Sequence, residues 1–308
     1  MDTNFNSNFK YFFMKTNKFL CYSLALGFGV TMLTSCGSDD SATPLPPIGG
    51  YNSADEIGAT DLVAHWPLDG DGVEKISNTA PSTSVGASYE AGVKGNGVKL
   101  TEGFLKYPAI TSLSNSLTSF TVSAWVKVTN NGQSGSVFLS LARPNEWAGN
   151  VNFLSETGWQ PATSDSITFK GQIVSSNTLG WQDSRNATKV SPEDAALGQV
   201  AAPNKVGGQW AHAVIVWDGA MRTFKVYANG IKISNPAWEQ RGEPDGTMLA
   251  FTTPTFPVIG AFATTANGTA VDTWDRGMTG NIDEMRVWKK ALSGSDIGSL
   301  YELEKAGR

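Results

Sequence analysis

The stretch Gly280–Leu292 has the residue pattern of a β-strand with two different faces. Apolar Met285 and Val287 alternate with the charged residues Glu284 and Arg286 and with Trp288. This two-residue period places Asp283 on the Met285/Val287 face. If that face is buried, the Asp283 carboxylate needs a cation or several N–H donors, because burying it unpaired costs several kcal/mol. The rest of the chain is expected to supply strands that pair with this one.

Strand-like runs that end at Gly, Asn, Asp or Pro fill most of the chain, and no long 3.6-residue period precedes the C-terminus. Phe120–Val128 alternates almost perfectly, so Trp125 points away from its apolar face. Trp210–Trp217 is apolar on both faces, as in a central strand, and Asn229-Gly230 is a strong hairpin signal. Ser293–Asp296 has the spacing of a helix capping box. The pattern predicts an all-β antiparallel sandwich with a short C-terminal helix.

Seven short motifs follow one another along the chain: Trp66-Pro-Leu-Asp69, Gly95-Asn-Gly-Val-Lys-Leu100, Ser119-Phe-Thr-Val-Ser-Ala-Trp-Val126, Trp210-Ala-His212, Val226-Tyr-Ala-Asn-Gly230, Ile259-Gly260 and Gly280-Asn-Ile-Asp-Glu284. Their order resembles the laminin G-like jelly roll of the concanavalin A-like lectin/glucanase superfamily, over about residues 61–305. The resemblance implies two curved antiparallel sheets, with the first strand (62–68) beside the last. Residues 142–206 depart from it, as a long segment of loops and at most a few strands.

The first 35 residues have the features of an export signal. Three lysines precede the apolar run Phe19–Leu33, which is short for a membrane span. Leu33-Thr-Ser-Cys36 resembles the lipobox of bacterial lipoproteins, in which the Cys is lipidated and becomes the new N-terminus. An ordinary secretory signal with an incidental Cys is the alternative, and initiation at Met14 would leave a more compact signal. Since Cys21 lies inside the signal, only Cys36 remains, so no disulfide or cysteine metal site is expected.

The segment after Cys36 is acidic and then Pro-rich. Gly37-Ser-Asp-Asp40 resembles the export tag of Bacteroidetes surface lipoproteins, and the alternative is a solvated acidic tether. Pro44–Gly50 is a stiff spacer. We predict a signal peptide (1–35), a lipidated acidic and Pro-rich tether (36–60) and a laminin G-like domain (61–308). The predicted location is the outer membrane, facing the cell exterior, with the lipid anchor as the only membrane contact.

The charge of the chain argues against nucleic acid as a partner. The full sequence has a net charge of −5, and its first 35 residues include three lysines and one aspartate, so removing them lowers the net charge to about −7. The sequence has no basic patch. Binding to nucleic acid or to anionic lipid is therefore not expected.

Catalytic motifs are absent from the sequence. The only histidines, His65 and His212, lie within strand patterns, and no Gly-x-Ser-x-Gly motif precedes a helix. Glucanases of the superfamily present their carboxylates as Glu-x-Asp-x-Glu or a close variant, which this chain lacks. Asp283 and Glu284 are adjacent and thus point to opposite faces, and Asp69–Asp71 lies in a turn. We predict a non-enzyme; a polysaccharide hydrolase or lyase is the third-ranked alternative.

A structural Ca²⁺ is implied by the resemblance, because relatives often carry one that joins the terminal strands through an Asp of the closing strand. Asp283 matches that Asp, and Gly97 or a neighbour would supply a backbone carbonyl, a ligand that Ca²⁺ accepts. The alternative is that Asp283 accepts hydrogen bonds from backbone N–H groups. Asp69–Gly72 lacks the later ligands of an EF-hand loop.

Five tryptophans lie in Gly/Asn/Pro-rich segments outside the predicted strands: Trp147, Trp159, Trp181, Trp238 and Trp274. Amides and carboxylates adjoin them, a composition that suits sugars, whose C–H faces stack on indole while polar side chains bind hydroxyls. We predict that they gather at one edge of the sandwich, led by Trp147, Trp159 and Trp181. The alternative is that each packs its own loop onto the sandwich.

Two functions remain open on the sequence. The first is glycan binding by a non-catalytic surface lipoprotein, in a groove with exposed tryptophans and amides. The second is a structural or adhesion module that binds a protein through a flat patch with anchoring aromatic residues.

Overall fold

The computed structural model describes residues 45–114 and 117–308. The predicted signal peptide, Cys36 and the acidic segment lie outside these residues. The described ranges contain three short α-helices: α1 (Pro192–Ala196), α2 (Ala263–Asn267) and α3 (Gly294–Lys305). They also contain thirteen strands: β1 (Leu62–Trp66), β2 (Thr83–Ala91), β3 (Asn96–Lys106), β4 (Phe120–Lys127), β5 (Ser136–Leu141), β6 (Val151–Ser155), β7 (Phe169–Val174), β8 (Trp181–Arg185), β9 (Ala211–Asp218), β10 (Thr223–Ala228), β11 (Ile231–Lys232), β12 (Pro257–Ile259) and β13 (Met278–Trp288).

The strands form one antiparallel path in the order β11-β10-β9-β4-β13-β3-β12-β5-β6-β7-β8. β1 adds to β13 and β2 adds to β3. The path curls into a sandwich of two leaves. The leaves are joined where β3 pairs with β13. We call the β11–β13 part with β1 the first leaf, and the β3–β8 part with β2 the second leaf. The predicted all-β jelly-roll class is thus confirmed, and so is the pairing of the first strand with the last.

The leaves approach each other closely where β7 faces β9 and β10. A side chain at Gly171 would place its Cβ 2.5 Å from the ring of Phe224 and 2.9 Å from Ile215, so only glycine fits there. Phe153, Phe169 and other apolar side chains fill the main core between the leaves. The segment 142–206 consists mainly of loops, as expected, and its three short strands β6, β7 and β8 complete the second leaf.

The closing strand β13 contains a β-bulge that changes which residues face the core. Glu284 has a φ of 45°, and the pairing with β4 shifts between Asp283 and Arg286. Because of the extra residue, Ile282 and Met285 both enter the main core. Asp283 pairs with Trp125, whose indole contacts α3 on the outer side of the first leaf. The prediction that Asp283 shares the Met285/Val287 face is therefore wrong, and so is the placement of Asp283 and Glu284 on opposite faces.

Helix α3 begins with the predicted capping box, in which the side chains and backbones of Ser293 and Asp296 bond reciprocally. It covers the outer side of the first leaf through a second apolar cluster that includes Trp288 and Leu300. Ala54 and Ile57 belong to the same cluster and are fully buried. Residues 48–60, assigned to the tether by sequence, thus pack onto the domain. No helix of the described ranges is long and apolar enough to cross a membrane.

Candidate functional site

The side of β7 and β8 that faces away from the core carries six side chains in register: Lys170, Gln172, Val174, Trp181, Asp183 and Arg185. The alternate positions of β7, Phe169 and Ile173, face the main core. The register pairs Lys170 with Arg185 and Gln172 with Asp183, so these four form a polar row. This row connects two groups of tryptophans at its ends.

At one end, three of the five predicted tryptophans lie together. We call Trp147, Trp181, Trp274 and the adjoining Phe262 the tryptophan cluster. The ring centroid of Trp147 lies 5.6 Å from Trp181, 5.3 Å from Trp274 and 5.1 Å from Phe262. Trp181 is 51% exposed and Trp274 is 36% exposed, so both offer indole surface to a ligand.

Strand direction explains how distant residues meet in the tryptophan cluster. The β5–β6 and β7–β8 connections lie at the same end of the second leaf because these strands are antiparallel. The first connection carries Trp147 and the second leads into Trp181. Trp274 comes from the loop before β13, where Asp275 accepts hydrogen bonds from the hydroxyls of Thr264 and Thr265 at α2. That anchoring fixes the loop against Phe262 and Trp147.

The amide of Gln172 is oriented by a chain of buried hydrogen bonds across β5, β6 and β7. The backbone N–H of Gly149 donates to Asn152 Oδ1 at 2.8 Å, as does the hydroxyl of Ser140 at 2.9 Å. Asn152 Nδ2 must then be a donor, and it reaches Gln172 Oε1 at 3.2 Å. The Nε2 group of Gln172 therefore points toward the surface, and none of the described residues accepts from it. It is a pre-oriented hydrogen-bond donor beside the tryptophans.

Two adjoining depressions share Gln172. One, of about 100 Å³, is lined by Trp147, Trp274, Lys170 and Glu156 among others. The other, of about 200 Å³, lies between Gln172, Trp181 and Asp183. Lys170 Nζ is 2.9 Å from Glu156 Oε1 and 3.6 Å from Asp183 Oδ2, so both carboxylates are ion-paired. The arrangement provides aromatic surfaces, an amide and fixed charges, which suits binding of a polyhydroxylated ligand.

At the other end of the polar row, Trp159 and Trp238 flank Arg185. The guanidinium carbon of Arg185 lies 3.9 Å from the ring centroid of Trp238 and 5.2 Å from that of Trp159. Trp159 follows β6, and Trp238 ends a 3₁₀ turn (Pro236–Trp238) after β11. The five predicted tryptophans thus form two groups rather than one, and Trp159 is separate from Trp147 and Trp181.

Sequence reasoning found the aromatic residues of this face but not all of its polar ones. Trp181 was placed outside the strand framework, whereas it begins β8. Lys170 and Gln172 were missed, although they alternate with the buried Phe169 and Ile173. That alternation is the signal by which the sequence marks them as outward-facing.

His212, Glu284 and Arg286 are buried on the α3 side of the first leaf, and His65 lies partly buried beside Glu284. Arg286 is fully buried, and its guanidinium contacts Asp55, Glu284 and Glu304 at 2.6, 2.7 and 3.0 Å. His65 contacts Glu284 at 3.1 Å, and His212 lies 3.5 Å from Glu304. Both histidines thus contact carboxylates of the ion-pair network around Arg286, which favours the structural interpretation of both.

Asp283 accepts three backbone N–H groups, from Val93 at 2.7 Å, Lys94 at 3.0 Å and Glu284 at 2.8 Å. Hydrogen bonds from backbone N–H groups were the alternative to a calcium ion at Asp283. Gly97 lies directly beside Asp283, since a Cβ on it would come within 3.2 Å of the Asp283 Cβ. Across residues 45–114 and 117–308, no group of three or more His, Cys, Asp or Glu is arranged to hold a metal ion. The calcium site stays a prediction.

The curled antiparallel sandwich defines the class of the protein as an all-β jelly roll. The chain belongs to the concanavalin A-like lectin/glucanases superfamily, because a laminin G-type family model with that description matches residues 101–298. No curated protein sequence matches the chain.

Solved structures support the fold at low sequence identity. The binding domain of Paraclostridial Mosquitocidal Protein 1 matches with a TM-score of 0.52 and 13% identity, over 79% of this chain and 52% of that one. The receptor-binding domain of a botulinum neurotoxin C/D mosaic serotype matches with a TM-score of 0.51 and 13% identity, over 79% of this chain and 51% of that one. The chain thus spans about half the length of these toxin domains.

A third similar structure is domain 4 of AbnA, an extracellular GH43 arabinanase from Geobacillus stearothermophilus, solved in complex with arabinotriose. It matches with a TM-score of 0.49 and 20% identity, over 78% of this chain and 98% of that domain.

Proposed function

We propose that this protein binds carbohydrate without catalysis, on the outward side of β7 and β8. The observation that carries the proposal is the tryptophan cluster beside the pre-oriented amide of Gln172. Exposed indoles of Trp181 and Trp274 offer stacking surfaces for the C–H faces of a sugar, and the polar row offers partners for hydroxyls. A lectin-containing superfamily is consistent with this role.

A binding role accounts for the carboxylates of this face better than hydrolysis does. Hydrolysis of a glycosidic bond needs one carboxyl group that protonates the leaving oxygen and another that acts as base or nucleophile. Glu156 and Asp183 flank Lys170 at 2.9 and 3.6 Å, and Asp183 also contacts Arg241 at 3.2 Å. These ion pairs commit both carboxylates to holding the polar row in place.

The proposed setting is the cell surface, with Cys36 lipidated and the domain carried on the outer membrane. This part rests on the sequence, namely the apolar run before Leu33-Thr-Ser-Cys36 and the acidic Gly37-Ser-Asp-Asp40. A glycan-binding domain in that position would hold polysaccharide close to the cell.

The test is a glycan-array screen with the soluble mature chain carrying Cys36→Ala, followed by calorimetry with the best ligand. Trp181→Ala and Trp274→Ala should each weaken binding by about 1–3 kcal/mol, or roughly 5- to 150-fold, without changing the fold. Ile231→Ala is the matched control, because Ile231 is 70% exposed on β11 of the first leaf. Binding to no glycan, or binding indifferent to the tryptophan cluster, would favour the adhesion module instead.

A further inference from the structure

The group around Arg185 forms a pocket separate from the tryptophan cluster. We call it the arginine pocket; it has a volume of about 300 Å³, and its lining includes Trp159, Gln160, Arg185, Lys189 and Trp238. Trp159 is 53% exposed, so its ring is open to a ligand. The pocket therefore combines aromatic surface with two cationic side chains.

Buried hydrogen bonds hold the walls of the arginine pocket in position. Asn235 is fully buried, and its backbone N–H donates to the carbonyl of Arg185 at 2.9 Å. Its Oδ1 accepts from the N–H of Ala237 at 3.3 Å and so caps the turn that carries Trp238. Its Nδ2 donates to Gln199 Oε1 at 3.2 Å on the opposite wall. These hydrogen bonds fix the turn that carries Trp238 to the backbone of β8, and so hold Trp238 next to Arg185.

The guanidinium of Arg185 has unused donor capacity. It makes no hydrogen bond to any described residue, and its closest carboxylate oxygen, Asp183 Oδ2, is 3.9 Å away. That carboxylate is closer to Arg241, at 3.2 Å, and to Lys170, at 3.6 Å. The acidic residue of the pocket itself, Asp194, accepts from the hydroxyl of Ser191 and from Gln199 Nε2, both at 3.1 Å. Arg185 and Lys189 carry two positive charges against the one negative charge of Asp194, so the lining of the pocket keeps a net positive charge.

We propose that the arginine pocket binds an anionic substituent of a saccharide, a carboxylate or a sulfate ester, with Arg185 as the direct partner. A guanidinium held over an indole ring presents a planar fork of N–H donors that matches such a group in two parallel hydrogen bonds. Trp159 supplies an adjacent stacking surface for the sugar ring. The inference rests on the proposed carbohydrate function and assigns the ligand to acidic glycans.

The position of the pocket allows one chain to reach both groups of tryptophans. Trp181 and Arg185 stand on the same side of β8, four residues apart, which corresponds to about 13 Å along the strand. Lys170 lies opposite Arg185 on the neighbouring strand β7, and its ammonium is 5.6 Å from the ring centroid of Trp159. An acidic oligosaccharide laid along β8 would thus contact aromatic surface at both ends and the guanidinium of Arg185 at one of them.

The experiment compares anionic and neutral forms of the same oligosaccharide by calorimetry. One arm uses oligogalacturonate against its methyl ester, and the other uses a sulfated galactan oligosaccharide against its desulfated form. Arg185→Gln should weaken binding of the preferred anionic form roughly tenfold or more and leave the neutral form unchanged. Arg185→Lys, which keeps the charge but loses the fork, should also bind the anionic form less tightly than the wild type does.

Lys225→Gln is the control for net charge, because Lys225 lies on β10 of the first leaf. Equal affinity of the wild type for both members of each pair, absence of binding in both arms, or equal effects of Arg185→Gln and Lys225→Gln would overturn the inference. Loss of binding in Trp181→Ala with no effect of Arg185→Gln would refute the arginine pocket alone. Loss of binding in Arg185→Gln with no effect of Trp181→Ala would support the arginine pocket and refute the role proposed for the tryptophan cluster. Circular dichroism of each variant establishes that it is folded.

Discussion

Glu304 is the residue through which α3 is tied to the polar interior of the first leaf. Its carboxylate is fully buried; Oε2 accepts from the indole of Trp125 at 2.9 Å, and Oε1 lies 3.0 Å from Arg286 Nε, at an angle too poor for a hydrogen bond. Burial raises the pKa of Glu304 to about 8, against the opposing effect of Arg286. Burial lowers the pKa of His212 to about 3. The two groups therefore affect stability in different pH ranges.

The pKa of Glu304 predicts that the folded state loses stability between pH 6.5 and 8.5. Its folded pKa lies above its unfolded value of 4.5, so the folded state binds more protons and the stabilisation is lost as pH rises through 8. The lowered pKa of His212 reduces the stability of the folded state only as pH falls below its unfolded value of 6.5, outside this range. Burial raises the pKa of Asp283 to about 7, so Asp283, like Glu304, loses stabilisation as pH rises.

Chemical denaturation should give an unfolding free energy about 1–2 kcal/mol lower at about pH 8.5 than at about pH 6.5. Glu304→Gln should reduce this difference, because the amide does not titrate. Glu302→Gln, on an exposed turn of α3, is the control. The same pH dependence in wild type and Glu304→Gln would contradict the assignment.

Residue identity alone indicated much of the candidate site. Indoles in polar segments are conspicuous in a sequence, and four of the five predicted ones lie on or beside the outward side of β7 and β8 in loops or turns. Gln172 was not recognisable as a candidate, because its role depends on Asn152 and Gly149, which meet it only through strand pairing. Arg185 likewise acquires its aromatic neighbours only when Trp238, 53 positions later in the sequence, folds against it.

Elements with strong alternation or turn motifs were predictable, and those without them were not. β4, β9, the β10–β11 hairpin and β13 were recognised from their apolar period and the Asn229-Gly230 turn. β2 was missed because almost all of its side chains are exposed and Gly86 interrupts it with a bulge. β7 was not located because Gly171 interrupts its apolar alternation, and β8 because Trp181 is its single apolar residue. The bulge at Glu284 was not expected either, since nothing in the local sequence requires a residue of positive φ there.

Removal of α3 should unfold the domain rather than shorten it. The helix covers Trp288 and Val214 in the second apolar cluster, and each large apolar side chain that it buries contributes about 1.5–3 kcal/mol. It also supplies Glu304, which accepts a hydrogen bond from the indole N–H of Trp125 at 2.9 Å, and a buried donor left without its acceptor costs about 1–3 kcal/mol. A chain that ends at Leu292 thus loses as much free energy as a typical domain possesses.

Near-ultraviolet circular dichroism and thermal melts measure this effect. The truncated chain should lack a cooperative transition, whereas Glu302→Ala on the exposed side of α3 should melt like the wild type. A cooperative melt in the truncated chain would show that the first leaf is stable without its helix.

On the scale of the whole molecule, the packed domain begins earlier than the sequence indicated. Ile48 and Tyr51 pack against the second apolar cluster, and Arg308 donates to the carbonyls of Asn52 and Pro46 at 3.1 and 3.0 Å. Residues 36–60 were assigned to an acidic and Pro-rich tether, and the few apolar residues at the end of this range find their partners only in the folded chain, on β9, β13 and α3. Both ends of the domain therefore meet at the helix, on the leaf opposite to the candidate binding face.

The proposed anchor predicts that binding and membrane attachment are independent functions of the chain. Cys36→Ala removes the thiol that would carry the lipid, and acyl chains contribute about 0.8 kcal/mol of membrane affinity per buried CH₂. With a mature net charge of about −7, the polypeptide is not expected to be held by anionic lipid. The variant should therefore move from the membrane fraction to the soluble fraction, while its glycan affinity stays equal to that of the wild type. Trp181→Ala should do the opposite, remaining with the membrane and losing glycan affinity. Fractionation of Cys36→Ala wholly with the outer membrane would show that another feature of the chain anchors it, and the lipoprotein assignment would then fail.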